Sequence, residues 1–177
     1  MRRAERRIVM WLLLLTSFAS LWLVHPAQAA TTTGTLTVQM TITASCTVTA
    51  ATVDFGTSTG TALLSAAVNA TGTVSVTCTN GSAYSIGMDN GAHASSSQRR
   101  MANGSNFINY NLYTDSGRLN AWTTASSSTT CTTASSCVTG TGTGSAQSTT
   151  IYGTVPAVAV APAAGSYSDS VTMTVTY

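Results

Sequence analysis

Thr35-Leu36-Thr37-Val38-Gln39-Met40-Thr41-Ile42-Thr43 alternates polar and apolar residues without a break. Successive side chains of an extended chain point to opposite faces, so Leu36, Val38, Met40 and Ile42 share one face, and Gln39 and the threonines share the other. This pattern predicts a β-strand with one apolar side. It follows directly on what reads as a removable leader, so the mature chain is expected to open with a strand at a free end, where it can pair with another chain.

The leader has the three parts of a secretory signal. Arg2, Arg3, Arg6 and Arg7 supply the positive start, Ile8 to Val24 is a mostly apolar run, and Ala27-Gln28-Ala29 is a small-residue cleavage site. Residues 1–29 are therefore expected to be a signal peptide cut after Ala29. The alternative is an uncleaved anchor, since the run sits at about the minimum for a bilayer span; Pro26 and the alanine-rich exit favour cleavage. The paired arginines also fit a twin-arginine route. No other segment reads as a membrane span, so an exported protein with no stable membrane insertion after cleavage is expected.

Cleavage reverses the charge. Residues 30–177 keep Arg99, Arg100 and Arg118 against Asp54, Asp89, Asp115 and Asp169, a net charge of −1, with no lysine and no glutamate. A nucleic-acid partner is excluded on that ground, because it requires a basic face to neutralise phosphates. Arg99-Arg100 reads as a solvated turn or a structural contact.

The composition is that of β structure: threonine, serine and valine abound, and runs of helix formers are missing after the leader. Val74 to Cys78, Tyr84 to Met88, Ile108 to Leu112 and Val171 to Tyr177 each alternate, predicting strands with one buried face. Asn80-Gly81, Asn90-Gly91 and Asn103-Gly104 are turn signals between them. Many short strands so punctuated predict an all-β sandwich or barrel. Between Ser116 and Thr150 the pattern dissolves into a Ser/Thr/Gly-rich tract, read as a long surface excursion with a stapled tip.

Four cysteines in an exported chain imply two disulfides with three possible connectivities. Proximity favours Cys131 with Cys137, leaving Cys46 with Cys78. No metal or cofactor site is expected, since His93 is the single histidine after the leader and no C-x-x-C pair exists. Catalysis is equally unsupported: His93 reads as a solvated loop residue, the aspartates as turn residues, and no G-x-S-x-G elbow is present. Asn69-Ala70-Thr71, Asn80-Gly81-Ser82 and Asn103-Gly104-Ser105 match the glycosylation pattern but read as turns.

A series of short motifs then carries a resemblance. Ala44-Ser45-Cys46-Thr47-Val48, Val53-Asp54-Phe55-Gly56, Gly72 to Cys78, Arg100-Met101, Ile108-Asn109-Tyr110-Asn111-Leu112-Tyr113, Ile151-Tyr152-Gly153 and Gly165-Ser166-Tyr167-Ser168-Asp169 follow one another in order. Over nearly all of residues 31–177 the chain resembles the spore coat protein U domain, the module of archaic chaperone-usher pilus subunits. The resemblance implies an immunoglobulin-like β-sandwich at 44–177 that lacks its last strand. Its open groove would be filled by the leading segment, 30–43, of the next subunit, with Leu36, Val38, Met40 and Ile42 as the donor residues. It further implies a periplasmic chaperone and an outer-membrane usher as partners, and a final strand whose Val171, Met173, Val175 and Tyr177 form the groove edge and chaperone contact. The expected product is a head-to-tail surface pilus supporting adhesion or biofilm formation. Two alternatives stand beside it: a self-complete secreted or spore-coat-like sandwich whose first strand pairs within its own domain, and a carbohydrate-binding module or tip adhesin with Trp122, Tyr113 and Tyr152 as a stacking platform.

Overall fold

The computed structural model describes residues 28–50, 52–133 and 135–177; the body of the leader lies outside them. The chain divides into a leading unit ending at Thr41 and a body from Ile42 to Tyr177. Among the described residues of the body, ten strands follow in order: β1 (Cys46–Ala50), β2 (Val68–Cys78), β3 (Ala83–Met88), β4 (Arg99–Asn103), β5 (Asn106–Tyr113), β6 (Ala125–Ser127), β7 (Thr130–Cys131), β8 (Val138–Thr141), β9 (Gln147–Val155) and β10 (Met173–Thr176). A 3-10 turn, Ala62–Leu64, precedes β2.

A five-stranded sheet has the order β1-β2-β9-β5-β4 and a three-stranded sheet the order β10-β3-β8; β6 and β7 form a separate hairpin. Every named pair is antiparallel. The two sheets enclose one core, in which Val74, Val76 and Cys78 of β2, Tyr84, Ile86 and Met88 of β3, Ile108, Tyr110 and Leu112 of β5 and Ile151 and Val155 of β9 are buried. These are the inward members of alternating runs, and the expected all-β sandwich is what they build. The three Asn-Gly pairs take the positive φ that glycine permits, 82° at Gly81, 83° at Gly91 and 60° at Gly104. Asn69, expected in a turn, is instead a β2 residue opposite Thr154.

Cys46 pairs with Cys78 and Cys131 with Cys137. The first bridge joins residues that already face each other across the β1–β2 ladder. It fixes the domain's first strand to a core strand.

The Ser/Thr/Gly-rich tract is more than a surface excursion. Trp122 is fully buried, its indole N–H donating to the Ile86 carbonyl at 2.9 Å and its backbone N–H to that of Leu112 at 2.8 Å. Val138–Thr141 then joins β3 as β8, and Gln147 opens β9. Tryptophan drives this inward turn, because its large ring gains most from burial when its one donor finds an acceptor. A stacking platform that includes Trp122 is thereby ruled out.

Candidate functional site

The space between the sheets is not closed. A cleft of about 1000 Å³ opens between them. The five-stranded sheet contributes Val68, Met101, Ile108, Leu112, Ile151 and Val155 to its wall, and the other sheet Met88 and Met173. Two irregular segments complete it, residues 52–60 and residues 162–169. Phe55 crosses the five-stranded sheet from the first of these, its ring 6.2 Å from that of Tyr110 in an edge arrangement. Gly153 permits that crossing, since a Cβ there would come within 2.8 Å of the Phe55 ring and 2.9 Å of Val53. Val53, Phe55, Met101, Val171 and Met173 remain only half-buried although they pack on the core. Apolar side chains left so are a surface that favours a further occupant.

One wall of the cleft is held by a polar clasp. Asp169 lies just before β10 with its side chain 2% exposed, and it accepts the Tyr110 hydroxyl at 2.6 Å, the His93 backbone N–H at 3.1 Å and a bond with His93 Nδ1 at 2.9 Å. Burial, then the bond to Asp169, pushes the Tyr110 hydroxyl well above the usual phenol range. His93 is therefore a partner of a buried carboxylate and not a free loop residue. Asp89 holds the neighbouring turn by accepting the N–H groups of Gly91 and Thr172, both at 2.9 Å. Burial raises its carboxyl, but the bonds from Gly91 and Thr172 together with the nearby Arg99 charge hold the group below the ordinary aspartate value. Arg99, expected as part of a solvated turn or as a structural contact, is 4% exposed and donates to the carbonyls of Asp89 at 2.9 Å and Trp122 at 2.8 Å. Burial pulls its guanidinium below the ordinary value, against the opposing effect of Tyr110, Asp89 and Asp169. Arg99-Arg100 and the motif ending in Asp169 meet here, Arg100 donating to the His93 carbonyl and His93 bonding Asp169; their spacing in sequence carried no sign of it.

The residues expected at the groove edge fall into two pairs. Val171 and Met173 line the cleft. Val175 packs against the core without lining it, and Tyr177 is 55% exposed. The regular strand is shorter than the alternation suggested, Met173–Thr176, and pairs with β3 on one side only, so β10 is a sheet edge. It approaches β1, the edge of the other sheet.

The expected donor residues are fully available. Residues 28–45 belong to no ladder. Leu36 is 88% exposed, Val38 83%, Met40 86% and Ile42 74%. Four large apolar side chains on one face, all in solvent, constitute an unsatisfied surface. Among the described residues no group of three His, Cys, Asp or Glu is placed to hold a metal ion, and no helix is long and apolar enough to cross a membrane.

Comparison with known proteins places this architecture. The family model of the Spore Coat Protein U domain matches residues 32–174. Among solved structures, the chain is similar to one in the crystal structure of the CsuC-CsuE chaperone-tip adhesion subunit pre-assembly complex from archaic chaperone-usher Csu pili of Acinetobacter baumannii, with a TM-score of 0.54 and 21% identity. That match covers 77% of this chain and 40% of the other. No curated protein matches. With a family model spanning most of its length and the sandwich to go with it, this chain belongs to the Spore Coat Protein U domain family.

Proposed function

We propose that the protein is a structural subunit of a surface pilus, assembled by donating its leading strand to the cleft of the next copy. The observation that carries the reading is the coexistence, in the same chain, of an exposed leading segment bearing Leu36, Val38, Met40 and Ile42 and an open cleft between the sheets. As a strand, Thr35 to Thr43 would span about 30 Å, the length of one edge of a small sandwich. Burying Leu36, Val38, Met40 and Ile42 contributes about 6 to 12 kcal/mol before the entropy of association, with ladder bonds to the free edges added. Between Ile42 and β1 stand only Thr43, Ala44 and Ser45. None is a glycine, asparagine or aspartate of the kind that turns a strand back on itself, which favours donation to another copy over folding into the chain's own cleft.

Each copy offers a strand and accepts one, so the contact is head-to-tail and generates a filament. Until the strand arrives, the cleft requires cover by a periplasmic chaperone, and an outer-membrane usher exchanges the one for the other. Val171, just before β10, and Met173 on it are the cleft residues a chaperone strand would meet; Val175 and Tyr177 extend that edge. Removal of residues 1–29 delivers the subunit to the periplasm, and polymerisation carries it to the cell surface, where the filament serves adhesion or biofilm formation. The experiment is to size the exported protein alone and with a candidate chaperone. Ladders of oligomers that survive mild denaturant are expected; a stable monomer that ignores the chaperone contradicts the reading.

A further inference from the structure

The outward side of the five-stranded sheet has a chemistry of its own. The β-sheet register sets Tyr113 opposite Tyr152 and Tyr152 opposite Thr71 in one row, and Asn111 opposite Thr154 and Thr154 opposite Asn69 in the next. These residues alternate with buried Ile151, Leu112 and Gly72, so they point away from the core. Two arginines stand at the rim. The Arg118 guanidinium lies 5.8 Å from the centre of the Tyr152 ring, and that of Arg100 lies 4.3 Å from the centre of Phe107. Phe107 and Tyr113 lie on the same face of β5, about 20 Å apart at strand rise.

No carboxylate answers either arginine among the described residues, where the one ion pair is His93 with Asp169. Asp54 accepts the Gly56 N–H at 2.8 Å, and Asp115 accepts the N–H groups of Leu119 at 3.2 Å and Asn120 at 2.8 Å. Arg100 donates to the His93 carbonyl, and Arg118 to those of Gly153 and Ser116. Each guanidinium has five N–H donors, which leaves several for a ligand. The face thus presents cations beside aromatic rings at two ends and a strip of neutral hydroxyls and amides between.

We propose that this face binds an acidic polysaccharide built of uronate sugars. Sugar carboxylates fit the guanidinium fork, sugar ring faces pack on Tyr152 and Phe107, and sugar hydroxyls exchange hydrogen bonds with Asn111, Thr154 and Thr71. The separation of the two charged ends selects a polymer over a single sugar. A chain whose exported part has a net charge of −1 gains nothing from non-specific attraction to a polyanion, so the binding depends on this local arrangement.

The test uses the exported, disulfide-bonded protein in whatever assembly state it is recovered, sized first, with immobilised polygalacturonate as the probe and dextran and dextran sulfate as comparisons. Retention on polygalacturonate that is lost in high salt, with none on dextran and less on dextran sulfate, is the expected result. Arg118→Gln and Arg100→Gln should each weaken it roughly fivefold, and the double variant should abolish it. Tyr152→Ala should weaken it about tenfold, and Arg118→Lys, which keeps the charge but loses the fork, should bind more weakly than the parent and more strongly than Arg118→Gln. All these side chains point outward, so melting temperature and disulfide content are expected to match the parent; should one variant not fold, the variant at the other end carries the same test. No retention, equal retention on all three polymers, or undiminished retention by the folded double variant overturns the proposal. Oligomer size is read separately: stable monomers that ignore the chaperone yet bind polygalacturonate refute the pilus and keep this site, and ladders that do not bind do the reverse.

Discussion

Tyr110 donates its phenolic hydrogen to Asp169 at 2.6 Å, joining β5 to the approach to β10 across 59 residues of sequence. The bond closes one wall of the cleft, since both residues line it. Tyr110→Phe leaves a carboxylate oxygen buried without that partner and should destabilise the subunit by about 1 to 3 kcal/mol. Asp169→Ala should cost more, because it also releases His93. Denaturant unfolding of the two variants checks both the loss and its order; wild-type stability in Tyr110→Phe would show that the clasp contributes nothing.

Asp89 gives the fold an acid limit. Its folded pKa lies below the unfolded value of about 3.9, so the stabilisation is fully present above that pH and is lost as pH falls through the lower folded value. Melting temperature followed from neutral pH down through that window should fall less steeply in Asp89→Asn than in the parent. Tyr110 acts with the opposite sign: its raised folded value gives stability that is present below the unfolded value of about 10 and lost as pH climbs from there.

The two disulfides are unequal. On the chain-entropy account the Cys46–Cys78 loop stabilises by about 3.7 kcal/mol and the Cys131–Cys137 loop by about 2.4 kcal/mol. The first also fastens edge strand β1 to core strand β2. Cys46→Ser should therefore reduce the yield of folded subunit much more than Cys131→Ser, measured on non-reducing gels of periplasmic extracts. Equal yields would contradict that ranking.

Reading the sequence succeeds where a single pattern decides the outcome. Val74, Val76 and Cys78 alternate with polar residues, and nothing competes with burying that face. Both disulfides follow from proximity once Cys131 and Cys137 are paired. It fails where a contact joins distant residues whose types are locally bland. His93 sits in a polar loop, Asp169 in a turn-like run and Arg99 in a charge pair, and only the folded chain brings them around Tyr110. Trp122 was legible as a strong apolar residue, but the Ser/Thr/Gly background of its tract hid the β8 and β9 ladders that follow it. Threonine and glycine alternate there without the hydrophobic period that marks a strand.

Donation of the leading strand predicts a difference between adjacent positions. Met40→Asp places a charge on the apolar face, where its desolvation outweighs what the remaining three apolar side chains gain. Gln39→Asp alters the opposite face and should change little. Polymerisation should fail for the Met40 variant while the subunit still folds and binds its chaperone, as read from oligomer ladders of the two variants. Equal ladders would remove the distinction between the faces.

The most direct measurement is uptake of a synthetic peptide, Thr33 to Thr43, by a subunit variant that lacks that segment, followed by native mass spectrometry and by thermal unfolding. The account predicts a one-to-one complex that melts well above the empty variant, and weak or no uptake of the same peptide carrying Met40→Asp. A truncated subunit that folds with its chaperone yet neither binds the peptide nor gains stability from it would contradict the claim that the cleft is built to receive this strand.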